Sequence, residues 1–362
     1  EVIDNYIEFS YIGIITKYGH ANSKFTGNTL IHRGSSGEGL KIEGGVFGVV
    51  SHNVIRMLTG ALSAITIESL AANPSAVSSN VIDVSPGTIT YGIRIENTPG
   101  EGSPVRVLVS DNTLFGNGSN TCIWNGSSTQ VDFEFKGNYL YNCVINTFGD
   151  RNHIIGNTIN GTITGDGITA QGISPVIKGN LVRNTTNCIV GNAASPVRSS
   201  IDISNNTCIE FTAVGIRSTR HSNGVILGNS IIHTGATATT GIWVFGNGAG
   251  DSANYKVLGN VIDGTNITTG VLVQSISGVK VQGNENNAAT QYTTTGTNAI
   301  VSYIDATGRE YNTPLLFASN AGLANGHRGY CDDCTLANPC AGGGAGAWFF
   351  IQRTVARCDA MP

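Results

Sequence analysis

An Asn-centred unit recurs twelve times along the chain, at Asn5, Asn28, Asn53, Asn80, Asn112, Asn138, Asn157, Asn180, Asn206, Asn229, Asn260 and Asn284. Three residues before each Asn stands an apolar side chain, from Val2 and Phe25 through Ile154 and Ile177 to Val281. Two residues after it stands another, from Ile7 and Leu30 through Cys208 to Ile262, with Asn286 the one departure. The units repeat every ~25 residues, a period that belongs to stacked supersecondary units rather than to one globular core.

The residues within a unit decide which kind of solenoid this is. Helical repeats need apolar positions at i, i+3, i+4 and i+7 and do not tolerate 48 Gly in 362 residues. What the units hold is short β-branched runs broken by Gly, Asn and Ser, which read as strands between tight bends. A second strand, written Gly-apolar-x-apolar, follows most Asn units, as in Gly39 to Ile42, Gly92 to Ile95, Gly241 to Val244 and Gly270 to Val273. Alternation sends one side chain of each pair inward and its neighbour outward. The repeated Asn is expected to take the left-handed region at the bend and to hydrogen-bond its equivalent one coil away, so that stacked coils carry an amide ladder. It is a structural residue and is assigned no chemistry.

By these units, residues 1–300 resemble the right-handed parallel β-helix of the pectate-lyase-like superfamily. The resemblance implies an all-β solenoid of about 12 coils, a rod of roughly 55 Å at ~4.8 Å per coil. Fold alone does not establish an activity.

Charged residues make up 12% of the chain and the net charge is −4, so neither a nucleic-acid partner nor an acidic membrane surface is favoured. No apolar run is long enough for a membrane span. The chain opens at Glu1 part-way through a coil, from which a missing N-terminal part is expected.

After Asn284 the unit stops. A Thr-rich link follows, and residues 301–362 read as a small Cys- and Gly-rich capping or tip module containing Cys331-Asp-Asp-Cys334, Asn338-Pro-Cys340 and Cys358. This segment resembles a C-terminal module of bacteriophage tail spike and tail fibre proteins. That resemblance implies a homotrimer in a virion tail, joined to other virion proteins through the missing N-terminus and facing a bacterial surface polysaccharide. No long intertwined C-terminal domain is present in the sequence, which departs from the usual route to a trimer. Cys331, Cys334, Cys340 and Cys358 suit a structural zinc site, two disulfides or free thiols. Cys122, Cys143, Cys188 and Cys208 read instead as small buried fillers of the solenoid.

Chemistry is sought on the outward side of the second strands. Glu43, Glu68 and Glu96 share one outward position in successive units, with Lys41 and Arg94 beside them. Carboxylates one or two coils apart would stand ~5 or ~10 Å from each other, which brackets the separations of glycosidase pairs, so this cluster is the candidate catalytic set or a calcium site. A salt-bridge ladder arising from repeat register alone is the competing reading. Trp124, Arg217 and Trp243 continue the same outward line, with Phe245 beside Trp243, and suit sugar binding through ring stacking and guanidinium hydrogen bonds. His32 and His233 each follow their Asn by four residues and read as bend decoration. The reading taken first is a tail spike or fibre that recognises a bacterial surface polysaccharide, with or without depolymerising it; the alternatives are a secreted lyase, hydrolase or epimerase, and a non-catalytic rod or filament subunit.

Overall fold

The computed structural model describes residues 1–16, 23–43, 48–58, 60, 62–68, 75–86, 91–96, 107–126, 132–193, 200–235, 238–246, 254–276, 279–294, 300–304, 310–312, 328–331, 347–352 and 355–359. Among these, every regular element is a strand. The protein is a parallel β-solenoid.

Two sheets carry the stack. In the first, the residue three before each Asn pairs with its equivalent in the next coil, so Val2, Phe25, Val50, Val77, Val109, Phe135, Ile154, Ile177, Ile203, Ile226, Val257 and Val281 stand in one parallel register. In the second, the residue two after each Asn does the same, from Ile7 and Leu30 through Cys208 to Ile262 and Asn286. Both columns point inward and form the core, which is nearly continuous from Phe25 to Val281. A register slip of one residue would turn every such side chain out, so burial itself fixes the stacking.

Between the columns the Asn residues form the expected ladder. Each side-chain Nδ2 donates to the Oδ1 of the next Asn, from Asn5 to Asn28 at 3.1 Å through to Asn260 and Asn284 at 2.8 Å. The backbone N–H of each Asn donates to that same oxygen. The left-handed conformation, however, belongs to the residue before the Asn. Asp4, His52, Ser79, Asp111 and Asn205 take positive φ there, and seven Gly take it in the other units. The reason is geometric: an Asn whose amide must point along the buried ladder cannot also turn the chain, so its predecessor does, and Gly is frequent there because it carries no Cβ penalty.

Three other expectations are corrected. Cys122, Cys143, Cys188 and Cys208 are buried, but as disulfides: Cys122 to Cys143 with Cα atoms 5.4 Å apart, and Cys188 to Cys208 at 5.8 Å, each joining neighbouring coils. His32 and His233 are not surface decoration. Both are almost fully buried, with His32 against Phe9 and His233 against Phe211. Within the Thr-rich link, Thr290–Thr294 is one more parallel strand of the second sheet.

Antiparallel pairing enters after Ile300–Ile304, which stacks on Lys280–Gln282 and then pairs antiparallel with Glu310–Asn312, itself parallel to Arg328–Cys331. Arg328–Cys331, Ala347–Gln352 and Val355–Asp359 form an antiparallel set. Cys334 and Cys340 lie outside the described residues, as do the side chains of Cys331 and Cys358.

Candidate functional site

The second strands place their outward side chains in a single line. Ile15, Lys41, Thr66, Arg94, Trp124, Asn146, Thr169, Val190, Arg217, Trp243, Leu272 and Thr293 are register partners in successive coils. A parallel line two residues on contains Glu43, Glu68 and Glu96, and further along Thr219 and Phe245. Five of the six expected binding residues therefore lie on one column and the sixth, Phe245, on the next.

At one end is an ion-pair cluster. Lys41 Nζ lies 2.9 Å from Glu43 Oε1, 3.1 Å from Glu68 Oε2 and 3.3 Å from Glu38 Oε2. Arg94 meets Glu96 at 2.5 Å through Nη2 and Glu38 at 3.8 Å through Nη1. Thr66 Oγ1 donates to Glu38 Oε1 at 2.7 Å and itself contacts Ser63 Oγ. Glu38 is the floor of the cluster, its side chain 8% exposed, while Glu96 at the rim is 32% exposed. Four carboxylates surround two cations, which leaves the cluster net negative. Burial alone would push the Lys41 ammonium down, but hydrogen bonds to Glu43 and Glu68 and the fields of Glu38 and Glu68 outweigh it and hold Lys41 above its ordinary value. Lys41 thus stays charged and occupies the space between Glu43 and Glu68. A glycosidase pair keeps that space for substrate or water, and a calcium ion would need it as well.

Beside the ion pairs is an aromatic platform. Arg94 Cζ stands 5.8 Å from the Tyr91 ring centre and 5.7 Å from that of Trp124, while the two rings are 4.9 Å apart. Phe148 approaches Trp124 edge-on at 6.4 Å. Further along the column the same pairing returns: Arg217 Cζ lies 4.8 Å over Trp243, which meets Phe245 edge-on at 5.7 Å. These rings are half-buried rather than freely exposed, because each is packed by its neighbours in the next coil.

Glu38 and Tyr91 were not singled out in the sequence. Glu38 precedes the Gly of the second-strand pattern, a position filled by Ser63 and Tyr91 in the following coils, so no periodic signal marks it. Among the described residues no group of three His, Cys, Asp or Glu has the geometry to hold a metal ion.

No protein-family model matches the sequence, and no curated protein does. Two solved structures are similar. The A-module of the mannuronan C-5 epimerase AlgE6 from Azotobacter vinelandii aligns over 83% of this chain and 90% of its own, at 14% identity and a TM-score of 0.43. PfbA, a surface adhesin of Streptococcus pneumoniae, aligns over 82% of this chain and 91% of its own, at 11% identity and a TM-score of 0.28. At such identities and scores neither assigns an activity.

Proposed function

We propose that this protein recognises a polysaccharide along the outward column of its second strands. The observation that carries the reading is the recurrence on one column of a guanidinium stacked on a Trp ring, at Arg94 with Trp124 and again at Arg217 with Trp243. Such a pair offers a pyranose both an apolar face and a fork of hydrogen-bond donors. A linear arrangement of two such pairs suits a linear polymer.

As the finer proposal, the rod is of the tail spike or fibre type, a homotrimer of a virion tail with a bacterial surface polysaccharide as its partner. One observation favours the second reading, a secreted polysaccharide lyase, hydrolase or epimerase. Two disulfides inside the solenoid fit folding in an oxidising compartment and would not persist in a reducing cytosol. An SDS-resistant trimer supports the tail-spike form, and a monomer the secreted one. A zinc ion at Cys331, Cys334, Cys340 and Cys358 is a further proposal, read directly by metal analysis of the purified chain.

The test is binding and cleavage on a panel of bacterial capsular and O-antigen polysaccharides, with reducing ends and absorbance near 235 nm (roughly, the unsaturated product band) followed together. Recognition predicts binding that is weakened in Trp124→Ala or Trp243→Ala alone and lost when both are substituted; no binding to any polymer overturns it. Catalysis by Glu43, Glu68 and Glu96 is carried by the same assay. Release of ends without absorbance indicates a hydrolase and release with it a lyase, and full activity in the Glu→Gln series removes these residues from the chemistry.

A further inference from the structure

We infer that the Arg217–Trp243 pair is a subsite for a carboxylate-bearing sugar, so that the polymer recognised along the column is an acidic one; the inference rests on the glycan-recognition reading above. The two Arg–Trp pairs share a geometry but differ in charge. Arg94 is neutralised by Glu96 and Glu38. No ion pair among the described residues involves Arg217. Its register neighbours are Val190 and Trp243, and the adjoining column presents Asn192, Thr219 and Phe245, none of them a carboxylate. Thr219 spends its hydroxyl on Asn192 Oδ1 at 2.9 Å. Arg217 Nε, like Arg94 Nε, is shut off from solvent without a hydrogen-bond partner, and so is Trp243 Nε1, so the difference between the twins lies in the ion pairs. Among the described residues, a half-buried guanidinium lying on an indole therefore lacks the counter-ion that its twin possesses. An uncompensated cation in such a place is costly, and a planar carboxylate answers it through two parallel N–H···O bonds from the outer guanidinium nitrogens. Trp243 and Phe245, set edge to face, supply apolar surface for the ring that bears the acid. The carboxylate-rich cluster at Lys41 repels an acidic sugar, which restricts the acid to the Arg217 end.

The experiment offers bacterial capsular and O-antigen polysaccharides in two forms, native and after carbodiimide activation and borohydride reduction of their carboxylates, to the wild-type chain and to Arg217→Gln. The expected result is that an acidic polymer binds, that reduction weakens it about tenfold or more, and that Arg217→Gln brings the native polymer down to the affinity of the reduced one. Thermal unfolding of Arg217→Gln is expected to match the wild type, and Arg217→Lys, which keeps the charge but not the fork, is expected to fall between them. Binding of neutral polymers only, or binding indifferent to reduction, overturns the acidic subsite and leaves glycan recognition standing. A carboxylate dependence that survives in Arg217→Gln overturns the placement. No binding of any polymer removes both readings together.

Discussion

Each interior Asn of the ladder satisfies more groups than a side chain of its size usually can. Asn157 donates from Nδ2 to Phe135 O at 2.8 Å and to Asn180 Oδ1 at 3.0 Å, and its own Oδ1 accepts from the backbone and the side chain of Asn138. Removing it strands buried donors and acceptors in two coils at once. Asn157→Ala is therefore expected to destabilise the protein by about 2 to 4 kcal/mol, read from urea unfolding. His221 makes a different demand. It is 2% exposed, and burial holds its imidazole down to about 4 against a weaker upward pull from the Ser200 backbone. A His with a depressed folded value is neutral in both states at high pH, so it costs nothing there. As pH falls below its unfolded value of ~6.5, the unfolded chain takes up a proton that the folded one refuses, and stability is lost down to about pH 4. The loss attributable to this residue is at most ~3 kcal/mol. In His221→Gln the fall in stability between neutral pH and about pH 4 is expected to be shallower than in the wild type, by no more than that amount, which paired melts across the range would show.

At the level of elements, the strands were legible because their constraint is periodic. An apolar side chain three before and two after each Asn can face inward in every coil only if the coils stack in register, and the pairings follow that rule. The outward line of Lys41, Arg94, Trp124, Arg217 and Trp243 came from the same arithmetic. What the period did not reveal were contacts that depend on local departures from it. Cys122 and Cys143 were placed inside correctly, but they meet where the register shifts twice, once after Phe115, which brings Asn120 level with Cys143, and again between Thr121 and Ile123, where Cys122 stands. Nothing in a 21-residue spacing announces those shifts. Likewise Glu38 enters the cluster because its carboxylate folds beneath Lys41 and over Thr66, a side-chain path rather than a strand position. The disulfides make a prediction of their own. Each closes a loop of about twenty residues, for which loop-closure entropy gives a stabilisation of about 3 kcal/mol. The double substitution of Cys122 and Cys143 by Ala is expected to lose that amount. In the native wild type, dithiothreitol is expected to free Cys122, Cys143, Cys188 and Cys208 only as fast as the chain unfolds, since all four are buried; rapid alkylation of peptides carrying these four in the absence of denaturant would contradict it.

On the scale of the whole molecule, a parallel solenoid converts sequence period into a ruler. The Arg94–Trp124 and Arg217–Trp243 pairs are separated by five coil steps on one column, a distance of ~24 Å along the axis. Because the core between them is continuous, the rigidity of the stack fixes that distance. A ligand that reaches only one pair gains one stacking contact. A ligand that spans both makes its second contact from an already tethered end, with the high effective concentration that tethering confers. Affinity plotted against oligosaccharide length should therefore rise in a step, not a ramp, once the chain extends ~24 Å, with a gain on the order of a hundredfold or more. Trp124→Ala and Trp243→Ala are each expected to erase the step while leaving short fragments bound at the pair that remains. A smooth dependence on length, or a step that survives either substitution, would mean that the two pairs act as separate sites and that the rod holds them apart without using the distance.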